Sequence, residues 1–560
     1  MRLSTILLLT SCHASYITVN TTLGPIIGSF ESAGEGGAQK IMVFRGVPFA
    51  ASTGGANRWL PPQPRTPWTQ PLNTTINGPG CRQPHHNADV PCRGQEGPRC
   101  ESEDCLNLNV YCPAEAPPAG SSGYPVIVWI YGGAFNEGMN WGPLNLYDGS
   151  ELAARGQVCV AATNYRLGVL GFLATKDSPG NQAIKDQRMA MEWVRDNIGA
   201  FGGDAAQVTL MGQSAGAMSV VYHVVSPRSQ GLFHRAIVQS DPAAFQYQTK
   251  LAQQATFGAK FAKLANCSKL SNLACLRALD AKAAVGLGEK ASSAAGEDVI
   301  SRILAGGKIE DAFAMQWAPV IDGDDLPGQP LELFASGKFT PVPMLVGTVQ
   351  DEGATFIYDG VNTRIPELLF PAVMKGIFGS SGANVTSFYE SAAAAADWRD
   401  VRDSLSYVLT DYWFKCASER IAKAAAAALQ PVFVYRFDHI LSFPEIFPQQ
   451  GLPAICENRT CHASEVPFIF HQFANYTPNA AELQMSSTMM AWWTGFVRTG
   501  DVNANLGVAA PHWPLFNGTE RLNMRLGVDM GVESTKTGQK GTLPTNGVCD
   551  LFDDVVGYQH

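Results

Sequence analysis

The chain has 560 residues, with 40 Lys and Arg against 49 Asp and Glu, a formal charge of −9. Apolar residues supply 46% and charged residues 16%, the reverse of a disordered chain's balance, so a large core can form. Mild acidity without a basic run argues against a nucleic-acid or anionic-membrane partner. No apolar stretch beyond residue 15 reaches the ~20 residues that span a bilayer, and no fixed period points to a repeat architecture.

In chain order, Arg2, the apolar run Leu3 to Thr10 and the small residues ending at Ala14 read as a secretory signal peptide over residues 1–14. Residues Ile17 to Phe30 alternate like a strand. So do Leu106 to Tyr111, while Pro125 to Tyr131 is a nearly continuous apolar run, as in a strand buried on both faces, and Val158 to Tyr165 is another. A helix is expected over Asn181 to Ile198, then a short strand over Val208 to Met211 and a helix from Ala215. Ala, Lys and Leu dominate from Tyr247 to about Gly307, which predicts a helical insert. Strand signals return at Pro343 to Val346 and Pro431 to Phe437, and Ala392 to Ala396 and Ala424 to Ala428 are helix formers. Strands alternating with helices predict an α/β fold, a mostly parallel sheet flanked by helices. With no Pro/Ser-rich or charged linker, residues 15–560 read as one domain with helical insertions.

Two features agree with export. Sequons stand at Asn20, Asn73, Asn266, Asn384, Asn458, Asn475 and Asn517, each a candidate glycan site. The 13 cysteines become an even number if Cys12 leaves with the signal, which suits disulfides. There is no apolar C-terminal tail for a lipid anchor and no retention tetrapeptide. A secreted protein with no membrane or obligate protein partner is expected.

The chemistry centres on Gly212-Gln213-Ser214-Ala215-Gly216, a G-x-S-x-G between a strand-like VTLM and a helix-compatible segment. A sharp strand-to-helix turn needs small flanking residues and lifts the Ser hydroxyl clear of the sheet, near a helix N-terminus. An ordinary Gly-rich loop is the bland alternative, and position favours the nucleophile. Such a hydroxyl needs a base. Asp351 and Glu352 follow an apolar strand, and downstream histidines are His439, His462, His471, His512 and His560. His439 directly follows the strand VFVYRF and competes with His462, and spacing alone does not choose. Tyr131-Gly132-Gly133-Ala134-Phe135 follows the VIVWI strand and is a candidate oxyanion loop, with one more N–H from Ala215. A strand-ending turn is the alternative there.

These residues resemble the type-B carboxylesterase family. Phe201-Gly202-Gly203-Asp204 through Gly216 resembles its serine signature, and Glu103-Asp104-Cys105-Leu106-Asn107-Leu108-Asn109 its second. Further matches are Phe44 to Ala50, Arg58-Trp59, Asn181 with Asp186-Gln187-Arg188, and Pro319 to Gly323, so the likeness runs from near residue 17 to Cys549. The resemblance implies an α/β-hydrolase fold, the triad Ser214, Glu352 and His462, and oxyanion donors Gly133, Ala134 and Ala215, with Ala134 replacing the usual third Gly. It implies the disulfides Cys81–Cys105, Cys267–Cys275 and Cys416–Cys549 and an ion pair between Arg58 and Glu103. Proximity adds Cys92 with Cys100 and Cys456 with Cys461, leaving Cys112 and Cys159 to pair or stay thiols. Irregular Cys spacing argues against a metal site, and no cofactor is expected.

Departures from relatives narrow the ester. Between Cys81 and Cys105 there is no Trp, Tyr or Phe to face a quaternary ammonium, and Gln213 is neutral where cholinesterases carry Glu. The same loop is polar, unlike a lipase lid. The leading expectation is a serine esterase acting on small to medium soluble esters. A lipase or sterol esterase is the alternative, and a non-catalytic binding protein of the same fold the third.

Overall fold

A computed structural model describes residues 16–84, 100–176, 178, 180–267, 272–292, 315, 317–361, 363–396, 400–449, 452–473, 475–504, 507, 510–536 and 547–556. Fifteen strands follow in chain order: β1 (Tyr16–Thr21), β2 (Gly24–Ala33), β3 (Gln39–Pro48), β4 (Leu72–Asn73), β5 (Gly80–Cys81), β6 (Glu101–Ser102), β7 (Asn107–Pro113), β8 (Tyr124–Ile130), β9 (Cys159–Thr163), β10 (Gly203–Gln213), β11 (Arg235–Gln239), β12 (Met344–Val349), β13 (Val432–Phe437), β14 (Leu522–Leu526) and β15 (Gly531–Ser534). Thirteen form one sheet in the order β1-β2-β3-β7-β9-β8-β10-β11-β12-β13-β14-β15, with β4 beside β2. From β9 to β14 every pairing is parallel, and the flanking pairs are antiparallel except for β4 with β2, which is parallel.

The apolar run of β8 explains why it lies at the centre. Val126, Val128 and Ile130 enter one core and Ile127 and Trp129 the other, so the strand is covered on both faces. On the first face lie the helices Gln182–Asn197 and Ala215–Val225, the second buried along its whole length. On the other, the helix Ala480–Thr499 brings Met485, Met489, Trp492, Trp493 and Phe496, started by a capping box of Asn479 and Glu482.

The chain passes from β8 to β9 on one side, then returns to β10 on the other. Connections leaving the ends of β8 and β10 therefore diverge, and the crevice between them is where open α/β sheets bind ligands.

Several expected elements change their limits. The alternation of Ile17 to Phe30 is a hairpin of β1 and β2, and β10 is longer than Val208 to Met211. The helical insert comprises Lys250–Gln253, Ala259–Leu264, Leu273–Arg277 and Ala281–Ser292, with residues 293–307 outside the described residues. Disulfides join Cys81–Cys105, Cys112–Cys159, Cys267–Cys275, Cys416–Cys549 and Cys456–Cys461, while Cys92 lies outside the described residues. Arg58 and Glu103 meet in a bidentate pair at 2.6 and 2.7 Å, and Arg58 also donates to the Leu279 carbonyl, tying the first disulfide loop to the helical insert. Among the described residues no helix is long and apolar enough to cross a membrane.

Candidate active site

Ser214 stands between β10 and the helix Ala215–Val225 with φ 58° and ψ −126°, a strained backbone outside the usual regions. Its neighbours explain how the turn is tolerated. A Cβ on Gly212 would lie 2.4 Å from the Gly216 carbonyl oxygen, and one on Gly216 would lie 2.0 Å from that of Ile130. Both positions demand glycine for space. The Ser214 N–H donates to the Gln239 carbonyl at 2.9 Å, fixing the turn to β11, and its own carbonyl accepts from Met218. The hydroxyl has no hydrogen-bond partner among the described residues, and Ser214 is 9% exposed.

On one side of the turn lies the glycine loop after β8. A Cβ on Gly132 would stand 2.8 Å from both the Gln213 carbonyl oxygen and the Ser214 Cβ, so the loop rests directly on the Ser214 turn. Gly133 has φ 112°, and its carbonyl accepts from Asn136 and Glu137. Ala134 has φ 50°, a left-handed conformation that costs an alanine about 1 kcal/mol. Among the described residues, the N–H groups of Gly133, Ala134 and Ala215 have no acceptor. Gln83 holds the loop from behind: its side chain accepts from the Gly138 N–H and donates to the Gly138 carbonyl.

On the other side, β12 ends at Val349, and after Gln350 and Asp351 the residue Glu352 opens the helix Glu352–Gly360. Glu352 is fully buried. Its Oε1 accepts from the Val349 N–H at 2.9 Å, and its Oε2 meets His462 Nδ1 at 2.5 Å. The two adjacent acids have different tasks. Asp351 gives its N–H to the Thr460 carbonyl and accepts from the Thr460 N–H, so its side chain is spent on the backbone of the histidine loop. Burial raises its pKa, opposed by Arg459. The glycine of the Asp-Glu-Gly run is needed for space, since a Cβ on Gly353 would lie 2.2 Å from the Ser406 carbonyl oxygen.

His462 follows the Cys456–Cys461 bridge and is flanked by the rings of Phe356 and Phe414 at 5.1 and 5.4 Å. Its Nε2 faces the amide nitrogen of Gln213 at 3.1 Å. The amide donates and the imidazole accepts, which leaves the Nδ1–H toward Glu352. The base candidate thus touches the residue next to Ser214, while the hydroxyl itself is unpaired. The competing histidines lie elsewhere. His439 pairs with Glu482 at 2.8 Å, within the cap of the helix Ala480–Thr499. His471 bonds Ser486, and burial pushes its pKa down to about 4. His512 is exposed and His560 lies outside the described residues.

Glu465, three residues after His462, is fully buried, and burial followed by the charge of Glu352 pushes its pKa up to about 7. It accepts from Gln239, whose carbonyl also holds the Ser214 N–H. In sequence Glu465 stands three residues after His462, and nothing in that spacing reveals its link to the Ser214 turn. Among the described residues no cluster of three or more His, Cys, Asp or Glu side chains could hold a metal ion.

Comparison with known proteins shows the family. The model of the carboxylesterase family matches residues 15–542. The "Crystal protein" of Dictyostelium discoideum is 32% identical over 521 residues, covering 92% of this chain and 88% of that protein. Acetylcholinesterase of Bungarus fasciatus is 32% identical, covering 87% and 79%, and para-nitrobenzyl esterase of Bacillus subtilis is 31% identical, covering 93% and 97%. A solved PNB esterase superposes with a TM-score of 0.73 at 30% identity, over 93% of this chain and 97% of that one. By sequence and by shape, this chain belongs to the carboxylesterase family and is a carboxylic-ester hydrolase of the α/β-hydrolase fold.

Proposed function

We propose that this hydrolase is a secreted serine esterase that forms an acyl-enzyme at Ser214, with His462 as base, Glu352 as its orienting acid, and Gly133, Ala134 and Ala215 as oxyanion donors. The observation that carries the reading is the meeting at the β8/β10 crevice of three unpartnered N–H groups, a hydroxyl on a strained turn, and a histidine backed by a buried carboxylate at 2.5 Å.

As the ester carbonyl carbon approaches, Ser214 Oγ attacks it and His462 Nε2 takes the hydroxyl proton. For this the imidazole exchanges its contact with the Gln213 amide for one with Ser214; catalytic hydrogen bonds often tighten only once substrate is bound. Glu352 keeps Nδ1–H in place and stabilises the imidazolium. Negative charge on the carbonyl oxygen is met by the three N–H groups and the positive end of the helix Ala215–Val225. Collapse expels the alcohol with the proton from Nε2. Water, deprotonated by the same nitrogen, then releases the acid and restores Ser214.

Small to medium soluble esters are the proposed substrates. The loop between Cys81 and Cys105 has no aromatic residue to face a quaternary ammonium and no apolar face for lipid. Export, with residues 1–14 as leader and residues 15–560 as one domain, is supported by five disulfides and by the exposure of all seven sequon asparagines.

Ser214→Ala tests the reading. On 4-nitrophenyl butyrate, kcat/KM should fall by at least ~10⁴ with little change in thermal midpoint. A phosphonate ester should label the wild type on the peptide that carries Ser214. Unchanged turnover in the variant overturns the assignment.

A further inference from the structure

We propose that Asp241 and Ser240 form a polar subsite in the wall of this cleft that binds a hydroxyl group of the ester substrate; the inference rests on the serine-esterase reading above.

Position comes first. β11 ends at Gln239, whose carbonyl accepts the Ser214 N–H. Ser240 follows in a left-handed conformation, φ 54°, with its N–H bonded to the Gly347 carbonyl of β12 at 2.7 Å. The next residues fold back onto Trp413: the Ala244 N–H donates to the Trp413 carbonyl, and the Phe245 ring stands 6.3 Å from the indole. Phe414, beside it, packs on His462. Asp241 therefore lies in the segment that runs from the Ser214 turn to Trp413 and Phe414 beside His462.

Its side chain is out of keeping with a purely structural role. Asp241 is 1% exposed and has no hydrogen-bond or ionic partner among the described residues, and its Oδ2 is wholly enclosed. The Ser240 hydroxyl beside it is also buried and unpartnered. Leaving such a group unpaired inside a protein is costly. Ser214 and His462 are themselves only 9% and 7% exposed, so the proposed subsite lies at the floor of the same buried region.

The chemistry selects the ligand. Burial alone pushes the Asp241 carboxyl up to about 8, and no cation opposes it; Tyr247 is the titratable group that feels its charge. At neutral pH it is an uncharged acid with one O–H donor and one carbonyl acceptor. A hydroxyl, also donor and acceptor, satisfies both. An ammonium would require ionising the acid and desolvating two charges together.

The test compares 4-nitrophenyl butyrate with its 2-hydroxy, 3-hydroxy and 3-amino counterparts, and ethyl butyrate with 2-hydroxyethyl butyrate. The first set reads the acyl side and the second the alcohol side. In the wild type, at least one hydroxylated ester should exceed its parent tenfold in kcat/KM. Asp241→Asn, which keeps a donor and an acceptor, should retain the preference; Asp241→Ala should reduce the ratio to within threefold. Because the readout is a ratio, partial loss of folded protein does not move it. Ratios under threefold for every hydroxylated ester, a preference that survives Asp241→Ala, or a larger preference for the 3-amino ester would each overturn the subsite. If 4-nitrophenyl butyrate is turned over by the wild type and not by Ser214→Ala, the esterase reading stands whatever the ratios are. Absence of turnover on all esters overturns both.

Discussion

Gly216 has no room for a side chain, because a Cβ there would press on the carbonyl oxygen of Ile130 in β8. A Cβ on Gly286, half-buried in the helix Ala281–Ser292, would meet nothing within 4 Å. The two make a matched pair. Gly216→Ala should cost about 1–3 kcal/mol through forced backbone shifts and should displace the nucleophile turn, lowering kcat. Gly286→Ala should gain about 0.5–1 kcal/mol and leave kcat alone. Urea midpoints and initial rates measured together check both signs. At this scale the sequence is eloquent about glycine: the G-x-S-x-G spacing marks where two backbones touch. It is silent on the choice between Asp351 and Glu352, or between His439 and His462. Those choices depend on which side chain faces which loop once β12 and β13 lie side by side. Asp351 is used on the Thr460 backbone and His439 on the cap at Glu482, and neither use leaves a mark in spacing.

Among elements, the disulfides separate stability from function. Cys416–Cys549 closes 133 residues and Cys456–Cys461 only 5. The chain-entropy argument gives about 5 kcal/mol for the first and about 2 for the second. Replacing Cys416 and Cys549 with Ser should therefore lower the urea midpoint strongly while the folded fraction keeps its kcat. Replacing Cys456 and Cys461 should cost less stability and more kcat, because that bridge ends one residue before His462. Equal effects on kcat would refute the distinction. The strand β7 is legible as an alternation, and β8 and β9 as apolar runs. β11 is not, since RAIVQ has only five residues and one clear apolar triplet. The Cys112–Cys159 bond is not legible either. It follows from register: Tyr111 lies opposite Val160 in an antiparallel ladder, which brings Cys112, one residue on in β7, opposite Cys159, one residue back in β9.

For the whole molecule, buried titratable groups shape the dependence of stability on pH. Glu465 holds its proton in the folded state up to about pH 7, whereas its ordinary value is 4.5. Between those limits the unfolded chain releases a proton that the folded chain keeps, so this contribution is full below pH 4.5 and is lost as pH rises toward 7. Glu465→Gln keeps the acceptor for Gln239 and should flatten the decline of the urea midpoint between pH 5 and 8; an unchanged slope would refute the linkage. His471 acts oppositely. Its pKa is depressed to about 4, so its contribution is present above 6.5 and disappears as pH falls through 4. These terms have no sequence signature, because burial is set by residues far away along the chain.

The backbone bridge between Asp351 and Cys461 has a mechanical consequence. It makes the Glu352 carboxylate and the His462 imidazole passengers on a single rigid bracket, while the Ser214 hydroxyl rides on a separate piece, the strained corner after β10. Loosening this enzyme by mild heat or denaturant would thus open a seam between bracket and corner first, and hydrolysis would fade while most of the sheet still held its shape.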